Sequence, residues 1–263
     1  MPTPDKALPR RSSPRPAHRQ RDHELRGITG SSALKAHLSV DPDSELIDDV
    51  VVTPANVHDA DAVTDLLAGH AEDEVKPTVM GDCAYGGADT LDDVAQAGFD
   101  LNTKVPSGRG RGGRFGKNDF RIDLGADMVA CPAGHSVRIR RDADGGGRAD
   151  FAVYCATCPL REQCTTSTAG RTVTIHPKEA ILQHAKTAQA DPQRREAYRS
   201  TRPKVERKIA HFVRVAWGGR NARTRGRQRV TTDVLTRAAA VNWARLATLG
   251  VSFVHGHWMP ATS

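Results

Sequence analysis

The sequence predicts an α/β fold, a mixed sheet with flanking helices and a small cysteine-containing insertion, and three observations carry that expectation. Strand-like apolar runs and helical periodicities alternate between residues 34 and 105 in the order β-β-α-β-α-β. Helical periodicity resumes at Asp191. Between the two lies a stretch, about 107–190, of short strand-like runs that holds four of the five cysteines. A chain of 263 residues is long enough for one sizeable core with a satellite module. The core is therefore expected over 28–106 and 191–250, the insertion over 107–190 and a tail over 251–263.

Residues 1–27 hold five prolines (Pro2, Pro4, Pro9, Pro14 and Pro16) and seven Lys/Arg with almost no periodic apolar residues, which predicts a disordered basic segment. Leu34, Ala36, Leu38 and Val40 alternate, Asp41-Pro42-Asp43-Ser44 supplies a turn, and Leu46-Ile47 with Val50-Val51-Val52 makes the returning strand of a hairpin. Thr53-Pro54-Ala55-Asn56 then breaks the strand. Ala62, Val63, Leu66 and Leu67 recur at helical spacing behind a group of Asp residues suited to a helix N-terminus.

The run from Pro77 to Asp82 reads as a short buried strand that stops at Gly81, followed by a helix through Leu91, Val94 and Ala95 that ends near Gly98. Phe99–Val105 reads as another strand, and the glycine/arginine stretch 107–118 as a linker. Pro192 suits a first helical turn, and Pro203 either starts a new helix or kinks that one. Val205, Ile209, Phe212, Val213 and Ala216 then repeat on one face. A last helix from about Thr232 to Leu249 carries Val234, Leu235, Ala238, Val241, Leu246 and Leu249, with Gly250 as its stop.

Charge is unevenly spread. Lys+Arg total 38 against 31 Asp+Glu, a formal +7, yet residues 41–100 carry sixteen acidic side chains and only Lys76. Residues 194–229 carry thirteen Lys/Arg against Glu196 and Glu206, a density that suits either a polyanion or a solvated helix face. Nothing approaches the roughly 18 apolar residues a spanning helix needs, and the N-terminus lacks the apolar run of a secretory signal. A soluble, cytoplasmic protein with no membrane partner is expected.

Two carboxylates stand out. Asp82 closes a strand at the turn Gly81-Asp82-Cys83-Ala84-Tyr85-Gly86-Gly87, where glycines allow close approach and a carboxylate can hold a hard cation such as Mg²⁺ or serve only the turn. Glu206 borders the apolar stripe of its helix and can point onto the sheet edge to share metal ions with Asp82, or pair with Arg202 at i,i+4. Cys131, Cys155-x₂-Cys158 and Cys164 reach the complement of a structural Zn²⁺ site, with His135 as a substitute ligand, and equally suit a knot of free thiols. Cys83 is expected to be a buried small residue, His37 and His58 to be satisfied by hydrogen bonds, and His211 to face solvent. Arg220, Arg223, Arg225, Arg227 and Arg229 are interspersed with glycine and lack aromatics, which favours phosphate contact over base stacking.

Four blocks make the sequence recognisable. They are Lys35-Ala-His37-Leu-Ser-Val-Asp, Val51-Val-Thr-Pro-Ala-Asn-Val-His58-Asp, the Gly81–Gly87 turn, and Tyr198-Arg-Ser-Thr-Arg202-Pro-Lys-Val-Glu206. In this order they resemble the DDE domain of bacterial insertion-sequence transposases, in the branch with a cysteine-bearing insertion, over about residues 28–249. The resemblance implies an RNase H-like fold and Mg²⁺-dependent cleavage and strand transfer at element ends. It implies double-stranded DNA as partner, a nucleoid-associated bacterial location, and room for a homo-oligomer. Asp82 matches the second catalytic carboxylate, Glu206 the third, and Tyr198 and Arg202 the pair before it, with Arg202 on DNA phosphate. The family's first aspartate has no counterpart: residues 1–32 offer no apolar run for its strand, and Asp22, the nearest upstream acid, is unlike a core residue. Ala33-Leu34 also replaces a usual glycine-tyrosine pair. The expectation is a transposase lacking its first catalytic strand and impaired in chemistry; the alternatives are an inactive DNA-binding remnant and a zinc-ribbon nucleic-acid binder.

Overall fold

The computed structural model describes residues 33–106, 108, 110–254 and 257–259; the segment expected to be disordered, 1–27, and Asp22 lie outside them. The described chain is a mixed α/β structure. It opens with β1 (Leu34–Val40) and β2 (Ile47–Pro54), antiparallel with Lys35 opposite Thr53 and His37 opposite Val51. Asp41 makes the hairpin turn by accepting from the backbone N–H of Asp43 and of Ser44, each at 3.1 Å. A 3-10 turn at Asp59–Ala62 leads into α1 (Val63–Leu66). Then come β3 (Thr78–Met80), α2 (Ala88–Gln96) and β4 (Asp100–Asn102), with β3 and β4 parallel and Val79 opposite Leu101.

The insertion follows as β5 (Arg121–Asp123), β6 (Met128–Ala130), β7 (Ser136–Arg138), β8 (Arg140–Arg141), β9 (Gly147–Asp150), α3 (Ala152–Cys155), α4 (Arg161–Cys164) and β10 (Thr172–Ile175). Its strands form two three-stranded antiparallel sheets, β5-β6-β7 and β8-β9-β10. They close over a core of their own, built from Phe120, Val129, Ile139, Phe151, Val173 and Ile175 with Cys155 and Cys164. The chain ends with α5 (Glu179–Ala190), α6 (Pro192–Phe212), α7 (Arg227–Thr248) and the hairpin β11 (Ser252–Val254) and β12 (His257–Met259), in place of the expected tail.

Two further cores position the site. The apolar face of the first hairpin, with Leu38, Ile47, Val50 and Val52, packs on Phe212 of α6 and on Val230, Val234, Ala238 and Val241 of α7. Asn242 secures the β2 edge, donating to the Ile47 carbonyl at 2.8 Å and accepting from its N–H at 2.9 Å. Val63, Leu67, Val94 and Phe99 form the other core, under β3 and β4.

Several expectations shift. Antiparallel and parallel pairs both occur, but as separate ladders rather than one continuous sheet. The strand expected over Phe99–Val105 is hydrogen-bonded as a strand only to Asn102, because the Val105 N–H turns to Gln189 Oε1 at 3.0 Å. Helix α5 has no counterpart in the sequence reading, and it packs on α2 and α6. Pro203 sits inside a single continuous α6 capped by Asp191, which accepts from Gln193 and Arg194 N–H. The buried residues of α6 are Tyr198, Thr201, Lys208 and Phe212, while Ile209, placed on the apolar stripe by its sequence spacing, is 41% exposed. The Lys208 stem lies in the core, and burial lowers its pKa against the pull of Glu45. Among the described residues no helix is long and apolar enough to cross a membrane.

Candidate active site

The Asp82 turn is built by its neighbours. The Gly81 N–H bonds the Asn102 carbonyl at 3.2 Å, extending the β3–β4 alignment by one residue. Asp82 then leaves the strand and caps the 3-10 turn Cys83–Tyr85, its Oδ1 accepting from Ala84 N–H at 2.8 Å. Its carbonyl accepts from Thr103 Oγ1 at 2.5 Å, which fastens the turn to the exit of β4. Gly86 is required here, because a Cβ at that position would stand 2.4 Å from the Lys104 carbonyl. Asp82 is exposed, and so is Cys83, against the expectation that it would be buried. Burial, then the nearby Asp59 and Asp82, push the Tyr85 hydroxyl up to about 12.

Glu206 lies across from the β4 exit on α6. It accepts from Arg202 Nε at 2.6 Å, and Arg202 donates a second N–H to Tyr198 Oη at 2.6 Å, so the three residues form a line along one helix face. The i,i+4 ion pair with Arg202 is thus present, and Glu206 remains 59% exposed beside it. A cavity of about 350 Å³ opens here, lined on one side by Asn102, Thr103 and Lys104 and on the other by Tyr198, Arg202 and Glu206 with their α6 neighbours. Asp82 is not a lining residue, but its Thr103 partner is. The cleft is therefore lined by Glu206 but not by Asp82, whose turn is joined to it only through the backbone carbonyl bonded to Thr103.

The arginine run divides. Arg223 pairs with Asp233 and Arg227 Nε donates to the Val52 carbonyl at 2.9 Å, so both hold the fold together. Arg237 also pairs with Asp233 inside α7, and the Asp233–Arg237 pair is buried. Burial would raise the Asp233 carboxyl, but bonds from Arg223 and Arg237 outweigh it and hold its pKa below the usual range. Arg220, Arg225 and Arg229 stay exposed.

Cys131, Cys155, Cys158 and Cys164 are free thiols that line a second, small cavity of about 20 Å³ together with His135, Arg161 and Arg171. Cys155 Sγ accepts from Arg171 N–H at 3.4 Å. Burial raises the Cys164 thiol, opposed by Arg171 and reinforced by the three other sulfurs. Even so, among the described residues no group of three or more His, Cys, Asp or Glu side chains is arranged to hold a metal ion.

The histidines are largely structural. His37 is buried, with Nε2 2.8 Å from Thr53 Oγ1, and His58 Nδ1 accepts from Ala60 N–H at 3.2 Å. His211, expected in solvent, is half-buried and its Nε2 accepts from Trp217 Nε1 at 3.0 Å. Sequence reasoning missed Lys104, Arg195 and Arg199 on the large cavity. The spacing 195, 199, 202 and 206, which sets one α6 face toward β4, was the signal available.

Residues 130–247 match the family model described as the transposase DDE domain, a span that holds the four clustered cysteines, Tyr198, Arg202 and Glu206 and begins after Asp82. No curated protein and no solved structure matches the chain. Domains of this family act on DNA and generally use divalent metal ions. Over residues 130–247, the chain is similar to the transposase DDE domain.

Proposed function

We propose that this protein is a DNA transposase that engages duplex DNA at the cleft between the β4 exit and α6, with strand cleavage and joining impaired. The observation that carries the reading is the Tyr198–Arg202–Glu206 line across the cavity from the β4 exit, to which Thr103 fastens the Asp82 turn, with α6 inside the matched span. Asp82 and Glu206 are the carboxylates for Mg²⁺, which when bound would stabilise charge on phosphate oxygens. Two carboxylates do not complete a two-ion site, and each already accepts a hydrogen bond, from Ala84 N–H and from Arg202. Arg202 is a phosphate donor, and Arg220, Arg225 and Arg229 are further exposed contacts.

The test uses the purified chain with labelled duplex and Mg²⁺ or Mn²⁺. Expected are salt-sensitive binding and little or no nicking, with binding retained in Asp82→Asn and Glu206→Gln. Failure to bind duplex even at low salt would remove the reading. Robust strand transfer lost in Glu206→Gln would show that a third acid, such as Asp22, completes the site.

We further propose that Cys131, Cys155, Cys158 and Cys164 take one structural Zn²⁺, drawing their sulfurs to about 2.3 Å from the ion. Their convergence on one small cavity of about 20 Å³ supports this. Elemental analysis should find about one equivalent of zinc; less than about a tenth, from a metal-replete preparation, would defeat it.

A further inference from the structure

We infer that Lys104, Arg195 and Arg199 form a phosphate-binding wall of the large cavity, which holds the sugar-phosphate backbone of a DNA strand without reading its bases. This deepens the DNA reading above and rests on it.

The balance of charge in the cavity supports the assignment. Lys104, Arg195, Arg199 and Arg202 line it against one acid, Glu206, and Glu206 is already paired with Arg202. Lys104, Arg195 and Arg199 are exposed and form no ion pair among the described residues. Arg195 and Arg199 stand one helical turn apart, where like charges oppose each other. Other cations of the same helix are treated differently: Arg194 pairs with Asp100, Lys204 with Asp43 and Arg207 with Glu45. Helix α6 thus neutralises cations that point elsewhere, while Arg195 and Arg199, with Lys104 across from them, face the cavity uncompensated. That excess positive potential in a concave site fits a polyanion.

The aromatic content decides between phosphate and base. Tyr198 is the one aromatic residue lining the cavity, and its ring is buried. Lys104 Nζ lies 5.3 Å and the Arg202 guanidinium 5.8 Å from the ring centroid, so cations crowd the ring and a base has no free face to stack on. These contacts also aim Lys104 into the cavity from the β4 side, opposite the arginines of α6. The wall comes from two elements, and the same β4 exit is fastened to Asp82 through Thr103. A strand held here would pass beside Glu206.

The test compares the full chain with the triple variant K104Q/R195Q/R199Q, whose changes are all at exposed positions, and with K104Q alone. A charge-matched control, R138Q/R140Q/R148Q, removes three exposed arginines of the insertion. Thermal melts confirm folding, and fluorescence anisotropy follows a labelled duplex of several unrelated sequences across a salt series. The slope of log Kobs against log salt should fall by about 0.9 for each phosphate left without its cation, equally for every sequence, while the control keeps the parent slope. An unchanged slope in the triple variant, or an equal fall in the control, overturns the assignment and leaves the transposase reading intact. No binding by the parent chain overturns both. Displacement of duplex by inorganic pyrophosphate as readily as by unlabelled DNA would assign the wall to free phosphate and overturn the strand.

Discussion

His37 shows how one residue ties pH to stability. It sits on β1 under Asp59, whose carboxylate is 3.9 Å from Nδ1 and also bound to Lys35 at 2.5 Å. Burial lowers its pKa from the ordinary 6.5, and Asp59 only partly restores it. The neutral ring is therefore the folded form, so as pH falls below about 6.5 the unfolded chain binds the proton first and the fold loses stability. His211 shifts the same way and shares that window. The urea midpoint should drop between about pH 6.5 and 5, and His37→Gln should flatten part of that drop; a midpoint insensitive to pH there would contradict the burial argument. At Gly86 the expectation is steric: Gly86→Ala drives a methyl into the Lys104 carbonyl, and should cost about 1–3 kcal/mol in denaturant unfolding while loosening the cavity wall.

At the scale of elements, α7 combines an apolar face with a buried ion pair. Asp233 answers both Arg223 and Arg237, and Arg237 reaches the Gly219 carbonyl at 3.0 Å and the Asn221 carbonyl at 3.2 Å, pinning the 219–223 loop to the helix. Asp233→Ala strands a buried guanidinium and should lower stability by about 3–5 kcal/mol, whereas Asp233→Ala with Arg237→Leu should recover part of it; equal losses would mean that the pair carries no special weight. The same helix shows what the sequence can convey. Its apolar spacing announces a helix, but the first residues, Arg227-Gln-Arg-Val-Thr231, hold a single apolar side chain, so the spacing puts its start at Thr232, five residues after the observed Arg227. Helix α5 escapes the sequence reading because its residues are alanine-rich and mostly half-buried, with Glu179 its one buried polar anchor, which leaves no apolar stripe to read. The hairpin is legible because Pro/Asp/Ser turn chemistry and alternation coincide there. Of the site, Asp82 and Glu206 are visible as isolated carboxylates, but the cationic wall needs β4 and α6 to be seen side by side.

Across the whole molecule, packed partners differ widely in their separation along the sequence. Ile47 is clamped by Asn242 across 195 positions, whereas the insertion closes its core within a span of 56 positions, from Phe120 to Ile175. During synthesis the hairpin therefore emerges long before α7 exists to cover it, while the insertion can close as soon as its own last strand appears. For most of its time on the ribosome the nascent chain carries Val50 and Val52 without their helical cover, the exposed-strand condition that recruits chaperones and invites misassembly. Chains stalled before Arg227 should show amide exchange already slowed at Val129 and Val173 yet fast throughout β1 and β2, with protection of the hairpin arriving only when the final helix is released.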